Sequence, residues 1–132
     1  MAIENFLNAL LYFAVSSVLM LAMVRIFFWV TPYNDAEEIH QGNAAVGITL
    51  FSQMVGLGII LWSAISHNDT LAETIVWGVF GSLLMMGSYL IFEWLTPKLP
   101  VREELRKGNM AVAWIVAGIF IALGLVVAAC IS

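Results

Sequence analysis

Charge is missing from four long stretches of this chain. Glu4 and Arg25 are separated by 20 residues without an Asp, Glu, Lys or Arg, Glu73 and Glu93 by 19, and 25 uncharged residues follow Lys107. Between Glu38 and Asp69 only His40 and His67 could titrate near neutrality. Each stretch matches the roughly 20 apolar residues that carry a helix across a bilayer. The pattern therefore predicts an all-α integral membrane protein with four transmembrane helices, at 6–30, 43–66, 73–95 and 109–131. An even number of crossings leaves both termini on one side.

Composition removes most other readings. Of 132 residues, 62% are hydrophobic and 11% charged, with a mean hydropathy of +0.97. A soluble domain keeps roughly a quarter of its residues charged. The connections between spans are too short to fold a catalytic domain. Cys130 is the only cysteine and His40 and His67 fall in different loops, so neither a disulfide nor a metal-ligand spacing is available. No nucleotide-binding glycine motif, nucleophile elbow or dense basic patch is present. The net charge of −4 argues against a nucleic-acid partner. No catalytic residue, cofactor or metal is expected, and the chain reads as non-enzymatic. Met-Ala-Ile-Glu-Asn lacks the basic start of a cleaved signal peptide, so the first span is expected to be retained.

The few cations set an orientation. Arg25, Lys98, Arg102, Arg106 and Lys107 all lie in or beside the first and third connections, and the termini and the 67–72 loop carry none. The positive-inside rule then places those two connections in the cytoplasm and both termini outside, which is periplasmic for a bacterial inner membrane. Trp29 and Trp94 end spans one and three, and Trp62 and Trp77 flank the outer loop. That spacing suits aromatic belts at the two headgroup levels.

The chain also nearly repeats itself. Ile26-Phe27-Phe28-Trp29-Val30-Thr31-Pro32 returns as Ile91-Phe92-Glu93-Trp94-Leu95-Thr96-Pro97. Glu37 to Ser66 returns, one inserted residue later, as Glu103 to Ser132, and the two blocks together hold 15 identities. Two parallel tandem units, 1–66 and 67–132, are predicted, each with two spans in the same orientation. This differs from the inverted repeats of many transporters. Within each unit Thr31-Pro32 and Thr96-Pro97 should stop a helix, and a short interfacial helix should follow. Gly42 and Gly108 suit the left-handed residue that ends it. Asn43 and Asn109 suit the N-cap of the next span. The eight residues read as a structural hinge.

Thr-Pro, an acidic pair and then Gly-Asn-Ala-Ala-Val-Gly opening an apolar helix resemble the YjfL-like family of small bacterial inner-membrane proteins. That is a domain-of-unknown-function family built from a two-span unit, often in tandem. The resemblance covers essentially the whole chain and transfers no catalytic residue. Members of that family are often encoded near PspA-like and ATP-grasp ligase-like proteins, so the resemblance implies an envelope-associated setting.

Polar groups inside the spans are the candidates for function. Arg25 and Glu93 are the two ionisable ones, and a pair between them is expected, within one chain or between neighbours. Arg25 is also able to snorkel alone to the interface. Span two carries a small-residue stripe of Ala45, Thr49, Ser52, Gly56 and Ser63. Helix packing is its simpler meaning. Thr49, Ser52 and Gln53 as the lining of a pore or groove is the sharper one. The acidic connection at 33–42 and the net basic one at 98–108 could dock together or attract a cytoplasmic protein partner. Solvated charge beside headgroups is the simpler explanation, because exposed ion pairs contribute little. The favoured function is a homo-oligomeric scaffold or accessory subunit in the bilayer. The alternative is a small homo-oligomeric channel or exporter. Small multidrug exporters depend on a glutamate within the first span, where this chain has only Arg25 and the terminal Glu4.

Overall fold

The structure is a computed structural model that describes residues 2–30 and 35–132, with side chains from residue 37 onward in the second stretch. Four long helices, α1 (Ala2–Val30), α3 (Ala44–His67), α4 (Leu71–Leu95) and α6 (Met110–Cys130), are each long and apolar enough to cross a membrane. Two six-residue helices, α2 (Asp35–His40) and α5 (Val101–Arg106), lead into α3 and α6. The four long helices cover the four uncharged stretches, α1 starting at Ala2 instead of residue 6, and a short helix precedes α3 and α6 as the repeated turn pattern predicts. The stop expected at Thr31 and Pro32 lies outside the described residues.

Local chemistry sets the boundaries that are described. Thr96 ends α4: its Oγ1 donates to the Phe92 carbonyl at 2.8 Å, and Pro97 cannot continue the helix. The three-residue link from α3 to α4 is closed at both ends. Asn68 Nδ2 donates to the Ala64 carbonyl at 2.8 Å, and Thr70 Oγ1 accepts from the Glu73 amide at 3.2 Å. Thr70-x-x-Glu73 is the capping-box spacing. That signal starts α4 two residues before the hydropathy pattern does.

The centre of the bundle is the contact between α3 and α6. Gly56 and Gly124 meet there almost backbone to backbone: a Cβ at Gly124 would stand 2.6 Å from the Gly56 Cα. One end of this seam is tied by Ser63 Oγ, which donates to the Ala128 carbonyl at 2.6 Å. In lipid the gain comes from van der Waals contact and interhelical hydrogen bonds. The small-residue stripe of span two is therefore largely spent on packing. Phe120 of α6 then collects the outer helices, touching Phe27 of α1 edge-on at 5.6 Å and Tyr89 of α4 at 4.4 Å between ring centres.

α1 is the outlier. Only 11% of its apolar stretch is buried, against 33–50% for the other three spans. Met23 and Phe27 are its buried residues, both in its second half. Phe6, Phe13, Val18 and Leu21 are all more than half exposed.

Candidate functional site

Glu4, Asp69 and Glu73 lie toward one end of the bundle, and most of the charge, including all five Lys and Arg residues, lies toward the end that holds α2 and α5. There the turns that open α3 and α6 share one geometry. Gly42 and Gly108 have φ of 84° and 80°, a backbone that costs an L side chain about 1–2 kcal/mol. The amides of Gly42 and Asn43 donate to Ile39 and Glu38, each at 2.9 Å, and those of Gly108 and Asn109 to Leu105 and Glu104, each at 3.0 Å. Asn43 Oδ1 then accepts from the Val46 amide, and Asn109 Oδ1 from the amides of Ala111 and Val112. Their Nδ2 groups donate back to Glu38 at 3.1 Å and Glu104 at 2.8 Å. Gly108→Ala has open space for its Cβ and meets only the strained φ. It should cost about 1 kcal/mol, read from detergent-micelle unfolding against the wild type.

One contact breaks the likeness. Asn43 Nδ2 also donates to the carbonyls of Leu105 and Arg106, at 3.0 and 3.1 Å. The two connections thus meet through a neutral carboxamide. Leu105 is fully buried and Val101 nearly so, whereas Ile39 on α2 is 39% exposed. α5 is seated through Val101 and Leu105, whereas the described side chains of α2 are exposed or half-buried. A cleft of about 450 Å³ between the two turns is lined by Glu38, Gln41, Arg106 and Lys107 among others.

Glu93 finds a partner other than the expected one. Arg102 Nη2 lies 2.9 Å from Glu93 Oε2, and Arg102 Nε donates to Oε1 at 3.4 Å, a two-point contact. Arg25 is exposed on α1 and forms no ion pair among the described residues. Within the chain, Glu93 is therefore bound by Arg102 in place of Arg25. The turn through Pro97 and Pro100 folds α5 back over the end of α4, bringing a residue nine positions on within reach. Arg102 is easily passed over in the sequence because it sits in a connection. Its one sequence signal is the short Pro-bounded link after an intramembrane acid. The pair opens onto a cavity of about 500 Å³ with walls from Leu90, Trp94, Pro97 and Leu99.

Thr49, Ser52 and Gln53 are all buried, at 3%, 0% and 2% exposure. Thr49 Oγ1 donates to the Ala45 carbonyl at 3.1 Å and Ser52 Oγ to the Thr49 carbonyl at 2.7 Å, so both hydroxyls are answered by their own helix. Gln53 Oε1 is buried without a hydrogen-bond partner among the described residues.

Together these features describe a helical membrane protein: four apolar helices around a glycine-mediated seam, with capped turns and an ion pair at one end. The chain belongs to the family described as Domain of Unknown Function (DUF350), whose model matches residues 1–131. The YjfL-like label is not part of that assignment. A relative in Bacillus subtilis (strain 168), UPF0719 transmembrane protein YshE, is 35% identical over 118 residues, covering 89% of this chain and 88% of the relative. No solved structure matches.

Proposed function

We propose that the protein is a non-enzymatic, homo-oligomeric scaffold of the bacterial inner membrane. Its two tandem two-span units lie parallel, at 1–66 and 67–132, with both termini periplasmic and the segments 33–42 and 98–108 offered to a cytoplasmic protein. The observation that carries this reading is the uneven burial of the spans: 11% for α1 against 33–50% elsewhere. A span with so few contacts in its own chain gains most from a neighbouring copy, because helix association in lipid rests on packing. The repeat is supported by the matched φ of Gly42 and Gly108 and the matched capping of Asn43 and Asn109. The orientation is supported by the five cations at the α2–α5 end.

The test is disulfide crosslinking in native membranes. Cys130 is exposed and would be replaced by Ser, and single cysteines placed at Phe6, Phe13 or Leu21. Crosslinked dimers from α1 positions, and none from a buried control such as Val116, are expected. A chain that stays monomeric in membranes at every position overturns the proposal. The channel reading has one observation in its favour, the Gln53 Oε1 left unpartnered among the described residues. Ion flux through reconstituted vesicles that disappears in Gln53→Leu would replace the scaffold with a channel.

A further inference from the structure

We propose that the cavity at the end of α4 is a binding site for the headgroup of a phospholipid bearing both a phosphate and a primary ammonium, as in phosphatidylethanolamine. The site stands on the geometry of α4 and α5 and is independent of whether the protein assembles with itself. It is a shallow recess of about 500 Å³ that opens onto the outer surface of the bundle, where a headgroup tethered to the bilayer has access. Its walls are mostly apolar, and Trp94, 79% exposed at its rim, is the kind of residue that sits at headgroup level.

Charge selects the ligand. Glu93, Arg102 and Glu103 line the cavity, two carboxylates against one guanidinium. Arg102 already spans the carboxylate of Glu93, whose side chain is only 14% exposed. A purely anionic headgroup meets a net negative site whose single cation is engaged. A zwitterion replaces each half of the contact it loosens: its phosphate accepts from the fork of Arg102, and its ammonium donates to Glu93. An arginine fork is well suited to phosphate oxygens. Glu103 is free to turn inward, since its contact with Lys107 is 3.6 Å long and both side chains are more than 60% exposed. A choline headgroup has the same charges but no N–H to donate, so it gains the phosphate contact alone. The first unit has Phe28 at the position aligned with Glu93, which leaves this chemistry to the second unit.

The test is native mass spectrometry of the full-length protein, titrated in detergent with phosphatidylethanolamine, phosphatidylcholine or phosphatidylglycerol of identical acyl chains. One saturable phosphatidylethanolamine adduct is expected, held about tenfold more tightly than either other lipid, a difference of about 1.4 kcal/mol. Glu93→Gln should bring it down to the phosphatidylcholine level, and Arg102→Gln should weaken all three lipids together. Equal retention of the three lipids, tighter phosphatidylglycerol, or a preference that survives Glu93→Gln overturns the site. If either variant fails to fold, competition on the wild-type protein decides. Soluble glycerophosphoethanolamine should displace the lipid at concentrations where inorganic phosphate does not. Equal displacement by phosphate would show a plain anion contact and reject the zwitterion site.

Discussion

Gly124→Ala is expected to destabilise the protein by about 3 kcal/mol, while Gly58→Ala leaves it unchanged or slightly more stable. The two glycines occupy the same place in the aligned halves of the chain, 66 residues apart. Their surroundings differ completely. A Cβ at Gly124 would lie 2.6 Å from the Gly56 Cα and 2.9 Å from its carbonyl oxygen, atoms that move only if α3 and α6 separate. Overpacking usually costs 1–3 kcal/mol, and a backbone obstacle belongs at the upper end of that range. A Cβ at Gly58 meets only the flexible Met20 Cε, at 3.6 Å. There the helix-propensity gain of up to about 1 kcal/mol for Gly→Ala stands unopposed. Detergent-denaturation midpoints of the two variants should move in opposite directions or differ by at least 2 kcal/mol. Equal effects would mean that α3 and α6 do not cross at Gly56.

Asn43→Ala should cost about 2–3 kcal/mol and Asn109→Ala about 1 kcal/mol. Both remove an N-cap, worth typically about 1 kcal/mol. Asn43 additionally answers the carbonyls of Leu105 and Arg106, which end α5. The Leu105 carbonyl keeps the Gly108 amide, so what Asn43→Ala removes beyond the cap is the tie between the two turns, with each lost hydrogen bond worth about 1 kcal/mol. Loss of that bridge should also loosen the seat of Leu105, fully buried beneath α5. Amide exchange at residues 105–108 should therefore rise in Asn43→Ala and stay near wild type in Asn109→Ala. Indistinguishable stabilities would mean that the Asn43 bridge is not what holds α5.

Much of the architecture is legible in the residues alone, for reasons particular to membranes. A bilayer span needs roughly 20 predominantly apolar residues, so the four uncharged runs locate the four long helices, which then extend past Glu4, Arg25, Glu73 and Glu93 by up to five residues. Gly-Asn after an acidic pair specifies a left-handed turn and a cap through local backbone geometry, and Gly42-Asn43 and Gly108-Asn109 adopt both. The site is less legible. Glu93 is conspicuous as an acid in an apolar run, yet its partner depends on how the link through Pro97 and Pro100 folds back. Thr49 and Ser52 read as packing first and pore lining second, and the sequence does not show that both hydroxyls bond to their own helix.

The sequence by itself determined four spans, the caps at Asn43 and Asn109 and the gathering of cations near the first and third connections, because burial in lipid and backbone capping act within a few residues. Only the tertiary structure decided which matching residues carry equal weight. Gly124 and Gly58 align, as do Asn109 and Asn43 and Leu105 and Ile39, but in each pair one member lies at a crossing or bridge and the other does not. The difference is made by contacts between helices far apart in the chain, for which the local pattern of either half holds no record.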